Sequence, residues 1–157
     1  MVTGANFMLS ETGPAGQKFL VDCGLIQGLK NDEKKNYEAF PYNPKEISAL
    51  FITHAHLDHI GRIPKLVKDG YRGPIFATEA TIELATIVLK DALGLAEERS
   101  QREGAPLLYE EVDLNRALHQ FQAVPYHKPH RLNGNDQFTL YDAGHILGSA
   151  SILLEAG

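Results

Sequence analysis

The sequence predicts an α/β domain built in layers. Three observations carry that expectation. Short apolar runs at Asn6-Phe7-Met8-Leu9, Lys18-Phe19-Leu20-Val21 and Ala49-Leu50-Phe51-Ile52 have the length of strands. Longer stretches space their apolar residues as a helix does: Ile82, Ala85, Leu89 and Leu93 in one, Leu114, Ala117, Leu118 and Phe121 in another. From Ala123 onward the pattern returns to strands.

In chain order, the first two runs form a hairpin across the turn residues Glu11-Thr12-Gly13-Pro14-Ala15-Gly16. Asp22-Cys23-Gly24 closes the second strand, and Cys23 is read as a small buried side chain rather than a metal ligand. Residues 25–44 are polar and irregular, a surface loop near the mouth of any site, with Lys30, Asp32, Glu33, Lys34 and Lys35 as a solvated cluster. Residues 49–53 make a buried strand. Ile60, Ile63, Leu66 and Val67 have helical spacing up to Gly70, with the regular part beginning near Pro64. Residues 73–78 are a turn and a strand, 81–93 a strong helix, 95–104 a charged surface helix and 110–121 an amphipathic helix. Strands at 137–141 and 150–154 flank the turn Asp142-Ala143-Gly144-His145-Ile146-Leu147-Gly148-Ser149. His119, on a helix face, and His127 and His130, beside prolines, are expected to be solvated.

The chemistry concentrates in Thr53-His54-Ala55-His56-Leu57-Asp58-His59-Ile60-Gly61-Arg62-Ile63-Pro64, where three histidines and one aspartate fall within six residues. Imidazole nitrogen and carboxylate oxygen are the donors that borderline cations such as Zn²⁺ accept. In an extended strand end His54 and His56 point the same way. Asp58 and His59 follow where the chain turns toward a helix, so one pair can grip one ion and the next pair a neighbouring ion. Four ionisable groups behind a buried strand cost stability unless something binds them.

Size and composition bound the rest. At 157 residues a single domain is expected. Hydrophobic residues are 43% and charged residues 22%, ordinary for a globular chain. No apolar run approaches the ~20 residues of a membrane span, and no secretory signal pattern opens the chain. The single cysteine excludes an internal disulfide and fits a cytoplasmic setting. A net charge of −5 lacks the basic face of a stand-alone nucleic-acid binder, but it does not exclude a nuclease whose metals supply positive charge locally.

His-x-His-x-Asp-His after a hydrophobic strand resembles the signature of the metallo-β-lactamase fold, and the longer text from His54 to Pro64 resembles its β-CASP branch of RNA-processing nucleases. The resemblance runs from Val2 to the end of the chain. It implies two sheets face to face with helices outside, the αββα sandwich. It implies that His54, His56 and His145 hold a first zinc and that Asp58 and His59 hold a second, with Asp58 also orienting the attacking hydroxide. Asp22 would accept a hydrogen bond from a ligating histidine, and Gly148 and Ser149 would bring backbone N–H groups to a phosphate. Two zinc ions ~3.5–4 Å apart suit phosphodiester hydrolysis.

The family also has a strand before Val2-Thr3-Gly4, a bridging aspartate in a fourth motif and an inserted β-CASP domain. None is recognised between residues 1 and 157, so the resemblance implies a partial domain. A parent protein would act on RNA, possess two zinc ions and leave an oligomer open; the stretch in hand would hold one zinc well and be inactive alone. Two other readings stand beside it: a thioester or lactone hydrolase of the same superfamily, and a non-catalytic metal-bound scaffold of an RNA-processing complex.

Overall fold

The structure is a computed structural model that describes residues 4–10, 16–28, 30–132 and 135–155. Strands β1 (Phe7–Ser10) and β2 (Lys18–Val21) pair antiparallel, Phe7 opposite Val21, as the hairpin requires. Residues 11–15 of its turn, and Val2 and Thr3, lie outside the described residues. Strands β3 (Ala49–Phe51), β4 (Ile75–Ala77) and β5 (Phe121–Ala123) then add in order, each parallel to the one before. A second, antiparallel sheet comprises β6 (His130–Arg131), β7 (Gln137–Asp142) and β8 (Ala150–Glu155). The helices are α1 (Lys30–Glu33), α2 (Leu57–Ile60), α3 (Ile63–Lys68), α4 (Glu79–Glu103) and α5 (Glu111–Gln120).

The two-residue period of the strands sorts side chains into two cores. Leu20, Leu50, Ile52, Ile75 and Ala77 pack with Ile60, Ile63, Leu66, Ala85, Leu89 and Leu114 from the helices. Phe19, Phe51 and Phe76 face the other way and meet Phe138 and Leu140 of the second sheet. The Phe51 ring lies edge-on to Phe138, 4.7 Å between centroids. The result is a helix layer, a sheet and a second sheet. A helix layer over the outer face of the second sheet, the fourth layer of the expected sandwich, is not found among the described residues.

Several boundaries differ from expectation. The strand before the histidines ends at Phe51 rather than at Thr53. The helical spacing from Ile60 to Val67 is split by Gly61 and Arg62 into α2 and α3, with Pro64 in the first turn of α3, where its missing N–H costs nothing. The segments 81–93 and 95–104 are one 25-residue helix, α4, which runs through Gly94 and stops at Gly104 in the left-handed conformation. The 25–44 stretch is not wholly irregular: it contains α1 and a 3₁₀ turn at Lys34–Tyr37, a second 3₁₀ turn (Pro44–Glu46) starts at its end, and the buried Asn36 side chain clasps both backbone groups of Ile26. In it Lys35 pairs with Asp32 at 3.1 Å. No helix among the described residues is long and apolar enough to cross a membrane.

Candidate metal centre

The carboxyl ends of the parallel strands meet at one edge of the first sheet, where ligands of open α/β sheets gather. Asp22 follows β2, Thr53 and His54 follow β3, and Thr78 follows β4. Residues 22–25 lie directly against 57–62. Cys23 N–H donates to the His59 carbonyl at 2.7 Å, Leu25 N–H to Leu57 at 3.0 Å, and Arg62 N–H to the Cys23 carbonyl at 2.9 Å. Gly24 permits that approach: a Cβ there would fall 1.6 Å from the Asp58 carbonyl oxygen. Cys23 is buried, and burial pushes its thiol up to about 12, which fits the packing role expected of it.

Three imidazoles converge. His54 Nε2 is 3.1 Å from His56 Nδ1, and His145 Nε2 is 3.3 Å from the same atom. The three ligand atoms all lie within 4.8 Å of one another. A tetrahedral ion with Zn–N distances of ~2.0–2.1 Å has ligand–ligand edges of ~3.3 Å, so the spacing fits one cation bound by three nitrogens. The structure brings His54, His56 and His145, the three histidines expected at a first metal, into one group. Asp58 and His59 stand beside this group rather than in it: the His59 ring centroid is 4.0 Å from that of His54, and His59 Nε2 is 3.6 Å from an Asp58 carboxylate oxygen.

Asp22 and Thr53 fix two of the rings. The buried Asp22 carboxylate accepts from Thr53 N–H at 2.8 Å, from the Thr53 hydroxyl at 2.7 Å and from His59 Nδ1 at 2.7 Å. A hydroxyl has one hydrogen. Since Thr53 gives it to Asp22, its oxygen accepts from His54 Nδ1, 2.9 Å away. Both Nδ1 atoms thus carry the proton, and Nε2 of His54 and His59 is left as a donor for a cation. Burial, then the neighbouring imidazoles of His59 and His56, push the His54 imidazolium down to about 4, so this ring is neutral near pH 7. The hydrogen bond to Asp22 holds the His59 imidazole above its ordinary value. The histidine that Asp22 holds directly is His59. Thr53 had no separate signal in the sequence.

His145 arrives on the β7–β8 loop. Ser149, buried beneath it, accepts on its hydroxyl oxygen from His145 N–H at 3.1 Å and Ile146 N–H at 3.2 Å. Ser149 N–H donates to the Ile146 carbonyl at 2.9 Å, so it is engaged and does not face a phosphate as the resemblance implied; the residue braces the loop. Ala150 N–H donates to the Thr53 carbonyl at 2.7 Å, joining this loop to the histidine stretch. A cleft of about 520 Å³ beside the loop is lined by Thr78, Tyr126, Leu147 and Gly148. A larger hollow of about 710 Å³, at Val67, Arg72, Arg116 and His119, contains none of the clustered ligands and is not the metal site.

The remaining histidines take no part in the cluster. His119 is exposed, with Nδ1 against the Asn115 carbonyl, and His127 is exposed with a positive φ of 61°. His130 corrects the expectation of a solvated ring: it is half-buried on β6, 5.1 Å from Phe76 and 5.2 Å from Phe138 between ring centroids. Beside two phenylalanines the imidazole is a packing surface.

Comparison with known proteins places this geometry. Residues 3–146 match the model of the metallo-beta-lactamase superfamily. Ribonuclease TTHA0252 of Thermus thermophilus is 40% identical over 154 residues, covering 98% of this chain and 32% of that protein. Transcription termination factor FttA of Methanocaldococcus jannaschii is 32% identical, over 89% of this chain and 22% of its own length. Cleavage and polyadenylation specificity factor 73 of Drosophila melanogaster is also 32% identical, over 89% and 20%. The chain thus spans a third or less of the length of these curated relatives. Among solved structures, Rm3 metallo-beta-lactamase superposes with a TM-score of 0.54 at 18% identity over 94% of this chain and 49% of that one. A B3 metallo-beta-lactamase with an active-site glutamic acid gives 0.53 at 20% identity, over 90% and 48%. These two establish likeness of fold. With the family match covering most of its length and the three histidines converging at the strand ends, the chain belongs to the metallo-β-lactamase superfamily.

Proposed function

We infer that the protein hydrolyses phosphodiester bonds in RNA, as a β-CASP-type nuclease, at a zinc centre held by His54, His56 and His145, with Asp58 and His59 as ligands to a second ion. The observation that carries this reading is the convergence of three imidazole nitrogens, with edges of 3.1 and 3.3 Å, in a chain whose curated relatives are named as a ribonuclease, a transcription termination factor and a cleavage and polyadenylation factor. A donor set of nitrogens with an adjacent carboxylate suits zinc over harder cations. A cytoplasmic setting accompanies this reading.

When bound, such ions supply Lewis-acid contacts to phosphate oxygens and raise the acidity of water. The side chains do the rest. His54 is neutral at working pH, and its Nε2 is aimed by the Thr53 hydroxyl. Asp58, half-exposed beside His59, orients the attacking water and receives its proton at a carboxylate oxygen. Asp22 keeps the proton of His59 on Nδ1. The Gly148 N–H is the backbone donor proposed for a phosphate oxygen.

Cleavage of an end-labelled single-stranded RNA by the full-length protein tests this. Activity is expected to disappear on chelation, to return with zinc and to fall to background in His54→Ala. Turnover of a thioester with the RNA left intact would assign the centre to another hydrolase class. Zinc binding without any hydrolysis would favour a scaffold.

A further inference from the structure

Of the rings in the centre, His54 and His59 are each aimed by a hydrogen bond at Nδ1, from Thr53 and Asp22 respectively. His145 has no such partner among the described residues. Its ring is exposed and stands beside the rings of His54 and His56, 4.7 and 5.0 Å between centroids. Its aim is therefore inherited from its backbone, and that backbone is pinned three residues further along the loop.

The pin is at Gly148. Its carbonyl oxygen lies within hydrogen-bond distance of two hydroxyls, Thr78 Oγ1 at 2.7 Å and Thr81 Oγ1 at 2.8 Å. Both threonines are buried, Thr81 completely. The two hydroxyl oxygens lie 3.0 Å apart, so the single hydrogen of Thr78 is shared between the Gly148 carbonyl and Thr81 Oγ1, while Thr81 has the Gly148 carbonyl as its acceptor; Thr78 Oγ1 also accepts from Thr81 N–H at 3.2 Å as the N-cap of α4. Contact is so close that a Cβ on Gly148 would fall 2.6 Å from Thr81 N and 2.8 Å from each hydroxyl oxygen, and φ there is +80°. An N-cap needs one hydroxyl. Capping does not account for the second, on Thr81, which is aimed out of the helix at the loop. From Gly148 the restraint passes to Ser149, whose hydroxyl receives the His145 and Ile146 N–H groups.

We propose that Thr78 and Thr81 are positioning residues for the metal centre: together they clasp the Gly148 carbonyl, hold the β7–β8 loop against the start of α4, and so set the direction of His145. The proposal rests on the reading of His145 as a zinc ligand. It joins the carboxyl end of β4 to a ligand carried by the second sheet. Two of the three ligands come from one strand end; this clasp registers the third against them.

The test is zinc affinity, measured by chelator competition on the full-length protein, alongside thermal unfolding of the metal-free form. Thr81→Val keeps the shape and removes one of the two donors, and is expected to weaken zinc binding ~10-fold, within the range usual for partners that orient ligands. Thr81→Ser, which restores the hydroxyl, is expected to return affinity to within ~2-fold of the parent. Should Thr81→Val unfold, Thr81→Ala, which keeps a good helix former in the first turn, carries the same expectation. Unchanged zinc affinity in folded Thr81→Val or Thr81→Ala, with only the melting temperature lowered, would overturn the proposal and leave the clasp as packing. So would a Thr81→Ser variant as weak as Thr81→Val. His145→Ala separates this from failure of the underlying reading: if its affinity also equals that of the parent, His145 is not a ligand.

Discussion

Asp22 controls more of the centre than any other single side chain. It takes hydrogen bonds from Thr53 N–H, from the Thr53 hydroxyl and from His59 Nδ1, and through that hydroxyl it reaches His54. Its φ of 60° is unusual for a residue with a side chain, yet Asp and Asn tolerate it. Asp22→Asn therefore keeps the backbone while putting an amide N–H₂ among groups that donate. At least one of the three donors must lose its acceptor. Zinc affinity, read by chelator competition, is expected to fall ~10–100-fold with the fold retained; unchanged affinity would reduce Asp22 to a turn residue. At this scale the sequence was informative where metal chemistry restricts residue type. His54, His56, Asp58 and His59 crowd into one short stretch, and His145 sits in a glycine-rich turn. Thr53, Thr78 and Thr81 were not legible, because a threonine that bonds a ligand or a carbonyl carries the same local pattern as any threonine at a strand end or helix start.

The elements show where local pattern is overruled. A glycine at position 94 and a change from apolar to charged composition suggest two helices, and the structure has one, α4. The apolar stripe ends because the helix leaves the core: Ala85, Leu89 and Leu93 are buried, while Leu95 is 60% exposed. Burial changed along α4, while its backbone did not. Gly94 itself has open space around its missing Cβ. Gly94→Ala is accordingly expected to stabilise by ~0.5–1 kcal/mol, since glycine costs about that much relative to alanine inside a helix. For a chain of this size the melting temperature should rise ~1–4 °C, measured by circular dichroism. A fall would show that position 94 is occupied by a contact in solution. β5 and β6 escaped the sequence pattern for a different reason. They are three and two residues long, too short for alternation to register, and β5 follows α5 without a break. Their existence is decided by β4 and β7, which offer them pairing edges.

At the scale of the whole molecule, ligand counting sets what the described residues can hold. The layered arrangement was legible from the order of strands and helices, and the sandwich came from the family resemblance; the inward turning of Phe19, Phe51 and Phe76 onto the second sheet is visible only in the fold. That packing brings His145, from the second sheet, to the strand end that carries His54 and His56. Three protein nitrogens are what a catalytic zinc needs before water completes its shell. In the proposed assignment the neighbouring position has Asp58 and His59, and among the described residues no carboxylate belongs to the three-histidine group. Two ligands leave most of a cation's coordination to water, and without a carboxylate shared by both ions nothing offsets the repulsion of two dications ~3.5–4 Å apart. Prepared as these 157 residues, the protein is expected to retain one zinc per chain after dialysis and to take up a second only at much higher free metal. Metal content by atomic emission, followed across a zinc titration, measures both steps. His56→Ala should abolish the tight step, while Asp58→Ala should leave it and remove the weak one. Two tightly held ions would mean that a further ligand to the second position comes from within the chain or from a second copy of it.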